Sequence, residues 1–345
     1  MQYGVKTILL LGLLLAGRAL ALNPAPSIKE YVHSSWSSAE GLPANWVMSI
    51  AQTRDGYLWF GTEEGLARFN GSQFVVFDQT HTPGLPINSN GITSLLADER
   101  QNALWIGSNV GGLSRYDGSS LHTYTVQDGL PNDSIRALAQ DSDGNLWIGT
   151  DKGLALIKSG RILPYHGERE LEHDKIMAVA AGPHGIVWAA TGSRLFRLDL
   201  TGRASVLSLP LSDPLTLFVD REEALWIGTL RQGVYSFAQG KLEHHGSRQL
   251  PNYPVNVFRE DLSGNLWVGF NGGGLCRLHG NEEQCYASKD SSERNAVWSI
   301  YEDQEGSLWI GSYAGVERLT KGKFTTYDRS QGLSHNMVLT LHQSP

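Results

Sequence analysis

Hydrophobic and polar residues alternate along this chain in short runs that end at turn signals, and the same runs recur many times. In the segment 132–166, "NDSIRALAQD" alternates apolar and polar residues, which predicts a half-buried strand. "DSDG" predicts a tight turn, and "NLWIGT" predicts a short strand that is apolar on both faces. "DKG" turns the chain again before "LALIKSG" and "RILPYH", which predict a third and a fourth strand. One unit therefore consists of four short strands without a helix.

The unit recurs around the tryptophan of its apolar strand. That tryptophan is found at Trp59, Trp105, Trp147, Trp188, Trp226, Trp267 and Trp309. The spacing runs from 46 residues between the first two to 38 between the fourth and fifth. A period near 40 with a Gly/Trp signature indicates a propeller or a solenoid, and four antiparallel strands per unit favour the propeller. The predicted fold is all-β: a seven-bladed β-propeller of four-stranded antiparallel blades.

Positions that stay fixed from unit to unit predict the shape of the ring. The tryptophan is expected to fill the wedge between neighbouring blades. A glycine follows two residues later, where bulk would clash or a positive φ is needed. It is found at Gly61, Gly107, Gly149, Gly228, Gly269 and Gly311. Ala190 replaces it in the fourth unit, so we expect that blade to be slightly distorted.

The two ends of the chain predict how the ring closes. "KEYVHSSW", residues 29–36, resembles a fourth strand with no first three, and we predict that it completes the last blade. "GLSHNMVLTLHQ" near the C-terminus resembles another first strand. The predicted organisation is a signal peptide at 1–21, the propeller at 22–322, and a tail at 323–345 that begins a truncated second propeller.

The first residues have the features of an export signal. Lys6 precedes an apolar run at 7–17 that is too short to span a bilayer comfortably, and "ALA" at 19–21 fits a cleavage site. We predict cleavage after Ala21 and a periplasmic protein, the alternative being an uncleaved anchor. No later stretch is long and apolar enough to span, so no membrane insertion is expected after cleavage.

Composition and charge narrow the functional classes. The 345 residues are 41% hydrophobic and include 39 glycines and 10 tryptophans, which suits an all-β protein with many turns. The chain has 28 basic and 35 acidic residues, and removing Lys6 and Arg18 leaves 26 against 35. With no run of Lys or Arg, nucleic acid is excluded as a partner.

The two cysteines, Cys276 and Cys285, flank "RLHGNEEQ". If Gly280 and Asn281 form a two-residue hairpin turn, His279 pairs with Glu282 and the cysteines lie directly opposite at a non-hydrogen-bonded pair. This predicts a disulfide in an exported protein. The alternative is two buried free thiols. Metal binding is disfavoured because two cysteines and one histidine make an incomplete site.

Two long segments carry a resemblance to a known family. "EGLPANWVMSIAQTRDGYLWFGTEEGLARFNGSQF" at 40–74 and "DGLPNDSIRALAQDSDGNLWIGTDKGLALIKSG" at 128–160 resemble the two-component regulator propeller repeat. The GLP loop, the D-x-x-G-x-LW-x-G core and the GL strand recur in order across 29–343. The resemblance implies the periplasmic sensor region of a bacterial receptor, often built from two consecutive seven-bladed rings.

In that family a small β-sandwich, a membrane helix and a histidine kinase or diguanylate cyclase follow the propellers. No kinase box, GGDEF motif or later membrane helix is found in this chain. The resemblance therefore implies the input region of a two-component or cyclic-di-GMP receptor, and no enzymatic activity is expected in this chain. The implied partners are an extracellular ligand and either a homodimer or a second propeller.

Positions that vary among the units predict where a ligand binds. One variable position begins the inner strand, and another follows the "LWIGT" strand; both are expected on one rim of the channel. The inner position reads Met48, Thr93, Arg136, Met177, Leu215, Asn256 and Trp298. The second includes Glu63, Asn109, Asp151, Lys152, Arg231, Asn271 and Tyr313. Trp298 is the first choice, with Tyr313 in the same unit and Trp46 in the next around the ring.

This mixture of aromatic rings, amides and charges suits a polar ligand such as an oligosaccharide. The predicted ligand-binding residues are Trp298, Tyr313, Trp46, Arg136, Asn256, Asn109, Asn271 and Arg231. The alternative for each is a solvated loop residue.

Other functions remain as alternatives: a propeller enzyme, lyase or glycan-active, and a protein-interaction platform. The inner position holds no histidine or carboxylate, which favours the sensor over the enzyme. G-x-S-x-G is absent, and no His, Asp and Ser recur at a spacing that suggests a triad. "DSDGN" at 141–145 lacks the remaining spacing of a calcium loop and predicts a turn. No cofactor or metal is predicted.

Overall fold

The structure is a computed structural model that describes residues 27–77, 91–199, 202–246, 250–280, 282–287 and 292–321. The predicted signal peptide and the predicted tail lie outside these residues. The described chain forms seven four-stranded antiparallel sheets, which confirms the predicted seven-bladed propeller.

The first four blades are continuous in sequence. Blade 1 contains β2 (Val47–Gln52), β3 (Leu58–Thr62), β4 (Gly65–Phe69) and β5 (Phe74–Phe77). Blade 2 contains β6 (Ile92–Asp98), β7 (Ala103–Ser108), β8 (Leu113–Tyr116) and β9 (Leu121–Tyr124). Blade 3 contains β10 (Ile135–Gln140), β11 (Leu146–Thr150), β12 (Gly153–Lys158) and β13 (Arg161–Pro164). Blade 4 contains β14 (Ile176–Ala181), β15 (Val187–Thr191), β16 (Leu195–Leu198) and β17 (Ala204–Leu207).

The remaining blades complete the ring. Blade 5 contains β18 (Pro214–Val219), β19 (Leu225–Thr229), β20 (Val234–Ala238) and β21 (Lys241–His245). Blade 6 contains β22 (Val255–Glu260), β23 (Leu266–Phe270), β24 (Gly274–His279) and β25 (Glu282–Tyr286). Blade 7 contains β26 (Ser299–Glu302), β27 (Leu308–Ser312), β28 (Gly315–Thr320) and β1 (Val32–Trp36).

Blade 7 is assembled from both ends of the described chain. Its sheet order is β1-β28-β27-β26, so the N-terminal strand supplies the outer position. Val32 pairs with Thr320 and Trp36 with Val316, antiparallel throughout. The strand predicted at 29–36 therefore closes the ring, because it supplies the fourth strand of the last blade.

The helical segments are short. The α-helix α1 (Arg169–His173) lies between blades 3 and 4. Four 3-10 turns are found at Ile28–Glu30, Ser38–Glu40, Val126–Asp128 and Pro183–Gly185. In the described part of the chain, none of the helices combines the length and the apolar character that a membrane crossing requires.

The hydrophobic core is a series of wedges between neighbouring blades. Trp59 of blade 1 packs with Ile92 and Leu104 of blade 2, and Trp309 of blade 7 packs with Val47 and Phe60 of blade 1. The tryptophan thus fills the space between blades, as predicted.

The repeated D-x-x-G-x-LW sequence forms a latch. The indole N–H of the tryptophan donates a hydrogen bond to the carboxylate six residues earlier. The pairs are Trp147 with Asp141 at 3.0 Å, Trp226 with Asp220 at 2.6 Å, Trp267 with Asp261 at 2.8 Å and Trp309 with Asp303 at 2.7 Å. The same carboxylates accept backbone N–H groups of the turn, as Asp141 does from Asn145 at 2.9 Å. "DSDGN" therefore forms a turn, and the repeated sequence serves to form the blades.

Blade 2 departs from this latch. Asp98 precedes Trp105 by seven residues rather than by the six found in the four blades with an aspartate latch, and Asn102 adopts a φ of 48° in the longer turn. The Trp105 Nε1 and the Asp98 Oδ2 are both buried without a hydrogen-bond partner among the described residues. One inserted residue thus separates a donor from its acceptor.

The glycine after the tryptophan is required by close packing. A Cβ at Gly149 would lie 2.7 Å from Ile176 Cγ2, and one at Gly228 would lie 2.6 Å from Thr216 Cγ2. Blade 4 nevertheless keeps the four-stranded order and the register shift of the other blades, so the predicted distortion at Ala190 is wrong at this level. Ala190 pairs with Ala178, and the inner strand of the next blade begins with Pro214. In the other blades, one or both of these positions hold a β-branched residue.

Candidate functional site

The two variable positions of each blade meet on one edge of the ring. In five blades the N–H of the residue after the second strand donates to the carbonyl oxygen of the residue before the inner strand. These bonds join Glu63 to Trp46, Asn109 to Gly91, Asp151 to Ser134, Leu230 to Asp213 and Asn271 to Pro254, over 2.8 to 3.2 Å. We call this edge, made of the connections before the inner strands and the turns after the second strands, the entry rim.

The inner variable position is a β-bulge. In six blades the pairing of the first two strands shifts register at this residue, as between Val47 and Ser49 around Met48 and between Ile135 and Ala137 around Arg136. A bulge leaves one residue unpaired and redirects its side chain. This explains why the position varies while its neighbours are fixed: its side chain is not part of the strand pairing.

Three aromatic rings from two blades meet on the entry rim where the ring closes. Trp46 before β2 lies 5.2 Å from Trp298 and 5.0 Å from Tyr313, measured between ring centroids. Trp298 and Tyr313 are 5.7 Å apart and nearly perpendicular, at 73°. All three side chains are partly exposed. We call these three residues the aromatic cluster; the sequence had placed them together only as neighbours in order around the ring.

The aromatic cluster carries two indole donors without acceptors. Trp46 Nε1 and Trp298 Nε1 are buried and have no hydrogen-bond partner among the described residues. Buried indole N–H groups are usually paired. By contrast, the wedge tryptophans of four blades donate to carboxylates. These two indoles therefore differ from the four paired wedge tryptophans in hydrogen bonding as well as in position.

Arg136 forms an ion pair on the entry rim of blade 3. Its Nε and Nη2 donate to the two oxygens of Asp151 at 2.7 and 2.8 Å, and Lys175 Nζ lies 3.6 Å from the same carboxylate. The hydrogen bond from Arg136 keeps the pKa of the Asp151 carboxyl below its ordinary value, against the effect of partial burial. A bidentate pair holds the guanidinium in place, so Arg136 offers a ligand a fixed rather than a free cation.

Two inner positions bind the next blade. Asn256 Nδ2 donates to the Val297 carbonyl at 3.0 Å. Thr93 Oγ1 donates to the Ile135 carbonyl at 2.6 Å. Asn256, predicted as a ligand residue, thus has its amide nitrogen occupied by an inter-blade bond.

Asn109 and Arg231 lie on the same rim in blades 2 and 5, and Asn271 lies on it in blade 6, next to blade 7. The Asn109 carbonyl accepts a hydrogen bond from Ser134 Oγ, and Asn271 bridges to Ala296 through the backbone. Within the described residues their side chains have no hydrogen bond or ion pair. Of the eight predicted residues, Trp46, Trp298 and Tyr313 are in mutual contact. Asn256 and Asn271 bond to the chain one and two residues before Trp298.

Cys276 and Cys285 are directly opposite each other on β24 and β25, and they form a disulfide. Their Cα atoms are 4.1 Å apart, and His279 pairs with Glu282. The bond links the two outer strands of blade 6. Among the described residues, no three or more of His, Cys, Asp and Glu are grouped to hold a metal ion.

A cleft of about 410 Å³ lies between blade 3 and α1 and was not predicted from the sequence. It forms where α1 packs beside the turn that carries Lys152. One feature of the sequence could have indicated the cleft. The segment "YHGERELEHDK" at 165–175 replaces the GLP connection found in other units.

The comparisons with known proteins agree with the repeat pattern. The model of the two-component regulator propeller family matches residues 41–64, 129–152 and 292–314, within blades 1, 3 and 7. Three of the seven repeats are thus similar to the repeat of this family. Histidine kinase P4 of Formosa agariphila is 25% identical over 317 residues, which cover 86% of this chain and 20% of the kinase. The chain therefore spans about a fifth of the length of this curated relative.

Solved structures share the fold. The extracellular domain of a putative hybrid two-component system from B. thetaiotaomicron superimposes with a TM-score of 0.74 at 20% identity, over 85% of this chain and 42% of that one. A streptogramin B lyase superimposes with a TM-score of 0.72 at 14% identity, over 86% of this chain and 99% of that one. At these identities the likeness establishes the propeller fold alone.

Proposed function

We propose that this propeller is the input region of a larger two-component or cyclic-di-GMP receptor, exported to the periplasm, and that it binds a saccharide on its entry rim without transforming it. The family of the repeats and the extracellular sensor domain among the structural neighbours support the sensory role. The Cys276–Cys285 disulfide supports an oxidising compartment.

The aromatic cluster is the observation that carries the ligand proposal. Trp46, Trp298 and Tyr313 present ring surface within 5.7 Å of one another on the entry rim. A sugar ring has one face of C–H groups, which packs against an aromatic face, and hydroxyl oxygens that accept hydrogen bonds from indole N–H groups. A small rotation of Trp46 or Trp298 would present its unpaired N–H to such a hydroxyl.

Thermal denaturation against a panel of oligosaccharides tests this proposal. A ligand that binds only the folded state adds about 2.7 kcal/mol to the free energy of unfolding at a hundredfold excess over Kd, and so raises the thermal midpoint. We expect one class of saccharide to raise the midpoint of the wild-type protein and to have no effect on Trp298→Ala. A panel that leaves the midpoint of the folded wild-type protein unchanged would reject the saccharide.

A propeller lyase is the second candidate, because a streptogramin B lyase superimposes over 99% of its own length. The inner variable position has no histidine or carboxylate in any unit, which is unfavourable for acid–base chemistry at the channel. Incubation with a streptogramin B and mass spectrometry would decide: we expect the compound to be recovered intact, and its consumption would favour the enzyme.

A further inference from the structure

The cleft between blade 3 and α1 lies on the same entry rim as the aromatic cluster, which is formed by blades 7 and 1. Its volume is about 410 Å³. Pro164 and Tyr165 contribute apolar surface, and Lys152, His166, Glu172 and His173 contribute polar groups. The cleft is separate from the aromatic cluster, since it shares no residue with it.

The chain is built to hold α1 against this cleft. Leu171 on α1 is fully buried in the core shared by blades 3 and 4. Gly153, at the start of β12, has a φ of 118°, and a Cβ there would lie 2.4 Å from the Glu172 carbonyl oxygen. Only glycine permits this close approach. The wall of the cleft is therefore a fixed part of the fold.

Three carboxylates in this region have basic side chains as neighbours. Glu172 accepts a hydrogen bond from the Gly167 N–H at 2.7 Å and lies 3.8 Å from His166 Nδ1 and 3.6 Å from His173 Nε2. Glu170 pairs with Arg194 at 2.6 Å. Asp151 pairs with Arg136 and Lys175.

Among the described residues that line the cleft, Lys152 is the one lysine or arginine. Its backbone N–H bonds to Thr150 Oγ1 at 3.1 Å, but its side chain is exposed and forms no ion pair with another described residue. A lysine ammonium is a compact charge with three donors, suited to a carboxylate or another single anionic group. The Glu172 carboxylate beside it can accept hydrogen bonds from hydroxyl groups.

We propose that this cleft is a second binding site, which takes an acidic sugar. The carboxylate of the sugar binds Lys152, its hydroxyl groups donate to Glu172, and its C–H face packs on Tyr165. This inference deepens the proposed function, because it makes the sensed saccharide an acidic one. The cleft is tested by a Lys152 variant and the aromatic cluster by a Trp298 variant, so the two proposals can fail separately.

Calorimetric titration with galacturonate and galactose tests the site, since the two sugars differ in the carboxylate. We expect galacturonate to bind the wild-type protein at least tenfold more tightly than galactose. Lys152→Met should remove that preference. Lys158→Met, which changes an exposed lysine at the end of β12 outside the cleft, should leave it unchanged. Glu172→Gln keeps an acceptor for the Gly167 N–H and removes a negative charge, so it should tighten galacturonate binding.

Equal affinity for the two sugars, or equal loss in Lys152→Met and Lys158→Met, would overturn this inference. Absence of galacturonate binding to the folded protein would overturn it as well. A neutral saccharide that still raises the thermal midpoint through Trp298 would leave the proposed function intact. Galacturonate binding that persists in Trp298→Ala, with no saccharide acting through Trp298, would support the cleft and reject the aromatic cluster.

Discussion

The indole rings of Trp46 and Trp298 lie 5.2 Å apart although they belong to the first and the last blade of the ring. They meet where blade 7 packs on blade 1, and β1 pairs with β28 in blade 7 to close the circle. The candidate ligand site therefore lies at the seam of the propeller, where the two ends of the described chain meet.

Closure of the ring depends on Trp36 at the end of β1. Its ring stacks on Trp309 at 5.3 Å and 23°, and packs on Phe69 at 5.5 Å. Trp36→Ala should lower the free energy of unfolding by about 3 kcal/mol, the usual loss for a large packed aromatic side chain. Val32→Ala on the same strand, where Val32 is 53% exposed, is the control and should cost far less. Urea denaturation measures both; equal losses would mean that Trp36 does not anchor the strand.

Blade 2 offers a stabilising change. Deleting Gln101 together with Asn102→Gly restores the six-residue spacing between Asp98 and Trp105, and places a glycine where Gly144 lies in blade 3 with a φ of 85°. Pairing the buried indole N–H with the buried carboxylate should raise the free energy of unfolding by about 1 kcal/mol.

Deleting Asp143 from blade 3 is the matched control for that change. It breaks the existing spacing between Asp141 and Trp147 and should lower the urea midpoint. If both deletions lower the midpoint, the spacing does not determine the latch.

The glycine after the wedge tryptophan should not tolerate a methyl group. In Gly228→Ala the new Cβ would lie 2.6 Å from Thr216 Cγ2 and 2.6 Å from Val255 Cγ1. Such overpacking costs about 1–3 kcal/mol. Gly192→Ala, where nothing lies within 4 Å, serves as the control and should change the urea midpoint little. A Gly228→Ala protein as stable as the wild type would show that the neighbouring blades can move apart here and accommodate the methyl group at no cost in stability.

Glu302 gives a pH dependence of known sign. Burial raises the pKa of its carboxyl above the ordinary value, although the Leu262 N–H donates to it at 2.6 Å and opposes the shift. A raised folded-state pKa favours the protonated form, so its contribution to stability is present at low pH and is lost as the pH rises through that pKa.

Glu302→Gln keeps an acceptor and removes the charge. We expect the variant to be more stable than the wild type at pH 7, with the difference shrinking toward pH 4. Urea midpoints at the two pH values measure this; a difference that grows toward pH 4 would reverse the sign.

The sequence predicted those features that follow from local spacing. The blades, the closing strand and the opposition of Cys276 and Cys285 all follow from counting residues along strands and turns. The use of Asn256 could not be predicted in this way, because its partner, the Val297 carbonyl, is brought near by the curvature of the ring. The cleft was missed for a similar reason: it depends on where α1 rests, which Leu171 and Gly153 determine through packing.

The most direct test of the account is a calorimetric titration of Trp46→Ala with the saccharide that raises the wild-type thermal midpoint most. Tyr253→Ala is the matched control, because Tyr253 is 49% exposed in the connection before β22 on the same rim and lies outside the aromatic cluster. We expect at least a tenfold loss of affinity in Trp46→Ala and none in Tyr253→Ala. Unchanged affinity in Trp46→Ala, or an equal loss in both variants, would contradict a binding site at the seam.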